Sequence, residues 1–171
     1  MMQRNVTKMI YAALLTAISI IIPLYFGFLK VVIGPFTATI ASHVPLFIAM
    51  VISPGVAIAV GVGSAIGFTI TSPAFVAARA AMHTVVGGVG GYLINKGVPF
   101  KYVVLITAPI HAILEALVVI PFGYNLSTAL IVVGIGTFVH HFVDGTISFG
   151  LIKALSKNVN LNFDKEPKKV A

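Results

Sequence analysis

Residues Ser72–Gly91 read SPAFVAARAAMHTVVGGVGG. This apolar run carries one arginine, Arg79, and one histidine, His83, a helical turn later on the same face. Ser72 and Pro73 interrupt the apolar sequence before it, so a helix is expected from about Ala74 to about Asn95. A run of this length matches the hydrocarbon thickness of a bilayer, about 20 residues of helix. Placing an arginine there costs about 2.5–3.5 kcal/mol on the insertion scale, so such a residue faces a cavity or a partner.

The surrounding sequence is as greasy as this stretch. Of 171 residues, 58% are hydrophobic and 9% charged, and the mean hydropathy is +1.07. A soluble domain needs more polar surface, so the chain reads as an integral membrane protein. At about 20 residues per span there is room for about six helices. The expected fold is an all-α membrane protein: a single membrane domain over 1–171, six transmembrane helices in a compact bundle, and a polar tail at about 156–171. The breaks place helices at about 9–28, 37–52, 56–71, 74–95, 102–122 and 126–155, with Ser53, Pro54 and Gly55 as a tight turn. Pro45 and Pro109 are expected to kink the second and fifth helices, which neighbours inside a bundle tolerate. The basic, apolar N-terminus lacks a convincing small-residue cleavage site and reads as the first span. There is no cysteine, which excludes disulfides and thiol-ligated metals. No internal repeat points to an inverted-repeat transporter.

Charge sets the expected orientation. With six spans both termini share a side. That side holds Arg4, Lys8, Lys96, Lys101, Lys153, Lys157, Lys165, Lys168 and Lys169, whereas the other holds Lys30, with Arg79 a little inside the membrane. Both termini are therefore expected to be cytoplasmic. The net charge of +7 follows from this bias and calls for no nucleic acid; the tail is suited to anionic lipid.

Depth then follows from orientation. Arg79 lies roughly 8 Å below the outer end of its helix. His111 and Glu115 share a face of the fifth helix, and the four residues converge in the outer half of the membrane if the fourth and fifth helices face each other. Asn125 is expected at the outer mouth, with Phe68, Phe75, Phe122 and Tyr124 walling a pocket. Two compatible readings of Arg79 stand side by side: it binds a carboxylate on a small solute as a planar bidentate donor, or it pairs with Glu115 and locks two helices. His140, His141 and Asp144 are expected deep and structural, with His140 and Asp144 spaced for an i,i+4 bond, and His43 as a packing histidine in mid-helix. Scattered histidines with no tight ligand motif leave a metal site and a cofactor unsupported. The chain lacks H-E-x-x-H and G-x-S-x-G, and Asp144 is its one membrane aspartate, so no enzyme is expected. A self-contained channel would line whole faces of several helices with polar residues, which this sequence does not do.

Small residues mark close helix contacts. Gly63/Gly67 and Gly87/Gly91 read as internal packing. Ala13 and Ala17 form an A-x-x-x-A pair in TKMIYAALLTA, residues 7–17. With that opening, its size and its span number, nearly the whole chain resembles the substrate-binding S components of energy-coupling factor (ECF) vitamin transporters of prokaryotic cell membranes. The resemblance implies capture of a vitamin from outside for ATP-driven uptake. It implies docking of Ala13 and Ala17 on a transmembrane T component, with two ATP-binding-cassette ATPase subunits completing the complex. The absence of tryptophan argues against the thiamine type, and the absence of an N-terminal M-H motif against the nickel or cobalt type. Arg79, His83, His111, Glu115, Asn125, Phe68, Phe75 and Tyr124 are the expected substrate-binding residues. Their chemistry ranks pantothenate first and niacin second, with pyridoxine, folate and biotin open.

Overall fold

The computed structural model describes residues 2–158, with side chains from Val6 to Ser156; the expectation for the tail beyond them lies outside the described residues. Helix α1 (Met2–Tyr25) leads through a 3₁₀ turn (Gly27–Leu29) into a hairpin of β1 (Lys30–Ile33) and β2 (Phe36–Thr39). After a turn come α2 (Val44–Ile52), α3 (Pro54–Thr71), α4 (Ala74–Asn95) and α5 (Phe100–Val118), then a 3₁₀ turn (Ile120–Phe122). The last helix is continuous: α6 (Leu126–Thr128), a π-helical stretch (Ala129–Gly134), and α7 (Ile135–Asn158).

The second span departs from expectation, while the chain as described stays mostly helical. In place of a continuous helix over 37–52, Phe36–Thr39 pairs with Lys30–Ile33 in an antiparallel hairpin, with Lys30 opposite Thr39 and Ile33 opposite Phe36, and the helix begins only at Val44. The cause is local. Val31, Val32 and Ile33 are β-branched and favour extended backbone. Gly34 turns the chain at φ +56°, and Pro35 donates no N–H. Pro45 does not kink a helix; it sits in the first turn of α2, where its missing N–H is no loss. Ser53 and Pro54 likewise start a helix: the Ser53 hydroxyl accepts from the Val56 N–H and caps α3.

Helix α2, at nine residues, rises only about 14 Å, too short to cross a bilayer alone. Among the described residues, four helical segments are long and apolar enough to cross a membrane alone: Val6–Tyr25, Pro54–Thr71, Phe100–Phe122 and Leu126–Ser156. Helix α4, interrupted by Arg79 and His83, is not among them.

Glycine brings the backbones together. A Cβ at Gly61 would lie 2.6 Å from the Thr84 backbone, and one at Gly91 2.7 Å from that of Pro54, so α3 and α4 pack antiparallel at close range. Gly63 and Gly67 receive Thr16 and Ile20 of α1, the internal packing expected of them. Helix α1 buries Leu15, Ser19 and Ile22 and leaves Ala13 and Ala17 exposed.

Candidate functional site

Arg79 is 4% exposed and Glu115 3%, and they meet across α4 and α5. Arg79 donates from Nε and Nη2 to Glu115 Oε2 at 3.0 and 2.6 Å. The rest of the guanidinium faces the hairpin: Nη1 donates to the Pro35 carbonyl at 3.2 Å and Nη2 to the Thr37 carbonyl at 3.2 Å. Phe36 lies against the same group, its ring centroid 5.4 Å from the guanidinium carbon, and its ring fills the notch left by Gly136 on α7. The helix-locking pair read from sequence is therefore present, and the guanidinium edge turned away from Glu115 is held by backbone carbonyls.

Glu115 divides its two oxygens. Oε2 takes Arg79 and the Thr137 hydroxyl. Oε1 lies 3.1 Å from His111 Nε2 and 3.4 Å from His83 Nε2. His43 joins them, its Nε2 2.9 Å from His83 Nε2 and its ring packed edge-on against those of His83 and His111. The outer atoms of these rings are also held: His83 Nδ1 by Ser64 Oγ at 2.9 Å and His111 Nδ1 by His141 Nδ1 at 3.0 Å.

Two expectations change here. His43 is not a packing residue in mid-helix; it precedes α2 and enters the centre of the cluster. His140, His141 and Asp144 are structural, as expected, with His140 Nε2 3.4 Å from Asp144 Oδ2 across the i,i+4 spacing, but they join the cluster rather than lying apart from it. Asp144 Oδ1 and Oδ2 accept the Ala41 and His43 N–H groups at 2.8 and 2.9 Å, and His140 Nε2 meets Ser42 Oγ at 3.3 Å. This clamp stabilises Ala41 in a left-handed conformation, φ 69°, which costs a non-glycine residue about 1–2 kcal/mol. Sequence reasoning missed the connection because it ran a helix through 37–52. The signal was Pro45 two residues after His43, a helix-start mark rather than a mid-helix one.

The remaining expected residues divide. Phe68 lines the small cavity beside Arg79, His43, His83 and Glu115. Phe75 and Tyr124 stack edge-on with each other, ring centroids 5.3 Å apart, and pack against the apolar clusters flanking the site. Asn125 is exposed, and its side chain accepts the Thr128 N–H at 2.8 Å as the cap of α6; Phe122 is exposed as well. The cavity offers about 20 Å³ to water-sized atoms, space for about one water.

The chain is thus a mostly helical one, with helices long and apolar enough to cross a membrane around a buried, enclosed polar centre. The chain is 36% identical over 180 residues to the niacin transporter NiaX of Lactococcus lactis subsp. cremoris (strain MG1363), a match covering 94% of this chain and 80% of the relative. It therefore belongs to this family of bacterial vitamin transporters, and the membership supports the S-component resemblance read from its sequence. No family model matches the chain, and no solved structure matches it.

Proposed function

We propose that the chain is the S component that captures niacin for uptake by an ECF transporter. The likeness to NiaX carries this reading and reorders the substrates, setting niacin above the pantothenate that pocket chemistry alone favoured. Nicotinate has a planar carboxylate on a flat ring, and the Arg79 edge facing the hairpin suits it. The Pro35 and Thr37 carbonyls occupy that edge with two N–H···O bonds, the pattern a carboxylate makes. A cavity of about 20 Å³ is too small for a pyridine carboxylate, so entry requires β1–β2 to lift from Arg79. The carboxylate then replaces the two carbonyls while Glu115 keeps Nε oriented. The Lys and Arg bias supports this end facing outside and the termini facing the cytoplasm.

The chain has no nucleotide-binding sequence, so concentrative uptake requires the T component and the two ATPase subunits. The test is nicotinate uptake into proteoliposomes. Uptake is expected only with all subunits and ATP together. Accumulation by this chain alone, or by the motor subunits without it, contradicts the proposal.

A further inference from the structure

We infer that His43, His83, His111 and Glu115 form a binding site for one divalent transition-metal ion of the zinc, cobalt or nickel kind. One donor atom from each lies within 4.8 Å of all the others. Three imidazole nitrogens and one carboxylate oxygen make a donor set suited to such ions. With metal–nitrogen bonds of about 2.0–2.1 Å, tetrahedral donors stand roughly 3.3 Å apart. Three of the six donor spacings bracket that value: 2.9 Å for His43 Nε2 to His83 Nε2, 3.1 Å for His111 Nε2 to Glu115 Oε1 and 3.4 Å for His83 Nε2 to Glu115 Oε1.

The proton inventory points the same way. His141 Nε2 lies 3.2 Å from the Val104 carbonyl, which only accepts. It lies equally close to Thr107 Oγ1, whose own proton goes to the Val103 carbonyl at 2.7 Å. His141 therefore carries its proton on Nε2, and its Nδ1 accepts from His111 Nδ1. A neutral His111 then turns the lone pair of Nε2 toward Glu115 Oε1, acceptor against acceptor at 3.1 Å. A cation between them resolves the conflict. Two of the outer nitrogens already have the hydrogen-bonded supports that orient metal-binding imidazoles, Ser64 for His83 and His141 for His111, while His43 Nδ1 makes no hydrogen bond but lies 3.1 Å from the Asp144 carboxylate. Charge agrees. Arg79 and Glu115 cancel, Asp144 remains, and with neutral rings the buried centre carries a formal −1. An uncompensated buried charge is costly; a divalent ion converts it to +1, attractive to an anion.

The test uses the full chain, purified without a histidine tag, with Co²⁺ and Zn²⁺ as probes. One Co²⁺ per chain is expected to survive desalting, with the visible absorption of a tetrahedral site, and Zn²⁺ should displace it. His83→Gln and His111→Gln should each weaken binding more than 100-fold. Ser64→Ala removes one hydroxyl, leaves the fold in place, and should weaken binding about 10-fold. Absence of stoichiometric metal from the wild type, or wild-type affinity in Ser64→Ala and in folded His83→Gln, overturns the site. The site stands apart from the niacin reading. Metal without niacin binding overturns only that reading, and niacin without metal binding overturns only the site.

Discussion

Arg79 holds α4 to α5 on one edge and the hairpin on the other, so its two roles separate by substitution. Arg79→Gln leaves the Glu115 carboxylate buried without its cation, and breaking such a pair costs about 3–5 kcal/mol. A large fall in melting temperature is expected, with nicotinate affinity at least 10-fold lower, about 1.4 kcal/mol. Arg79→Met combined with Glu115→Met removes both charges and should recover most of the stability without recovering affinity. A folded variant without Arg79 that binds nicotinate normally leaves only the helix lock. Asp144→Asn leaves one of the Ala41 and His43 N–H groups facing an amide NH₂, at about 1–3 kcal/mol. Faster hydrogen exchange at those two amides, measured by mass spectrometry, is the expected result. The Arg79, His83, His111 and Glu115 grouping was legible because i,i+4 spacing fixes a helix face. The His140–Asp144 spacing was legible for the same reason, but the contacts of these two residues with Ala41, Ser42 and His43 were not, because they depend on where a loop ends.

At the scale of elements, three glycine notches set the geometry. The Gly61 notch is lined by backbone, and the Gly63 notch by the Thr16 and Ser19 side chains, with the Thr16 carbonyl at 3.2 Å. Gly61→Ala must therefore push α3 from α4, at about 1–3 kcal/mol or more, and should lower the melting temperature more than Gly63→Ala, where side chains can yield. Gly136→Ala sets a Cβ 2.7 Å from the Phe36 ring, so it should lift the hairpin, speeding amide exchange across 30–39 and nicotinate association. Unchanged exchange there argues that Phe36 does not hold the hairpin down. Five of the six expected helices were readable from apolar length and from Gly and Pro breaks. The hairpin was not: KVVI followed by Gly-Pro is short and apolar, and an apolar run of that length does not distinguish strand from helix without its tertiary partners.

At the scale of the whole molecule, the chain is a bundle with its polar centre enclosed and a smooth face exposed on α1. Ala13→Trp and Ala17→Trp fill that face with bulk. Both variants should bind nicotinate as the wild type does but fail to assemble with the motor subunits, with loss of uptake; persisting uptake in both excludes the face as the docking surface. In the proposed function this chain alone captures niacin, through the vitamin's carboxylate. Calorimetric titration of the purified chain tests it most directly, with nicotinate, nicotinamide and pantothenate offered in turn. Saturable nicotinate binding without ATP or partners is expected, with at least 10-fold weaker binding of nicotinamide, which lacks the carboxylate, and no competition from pantothenate. Absence of nicotinate binding, equal affinity for the amide, or preference for pantothenate contradicts it.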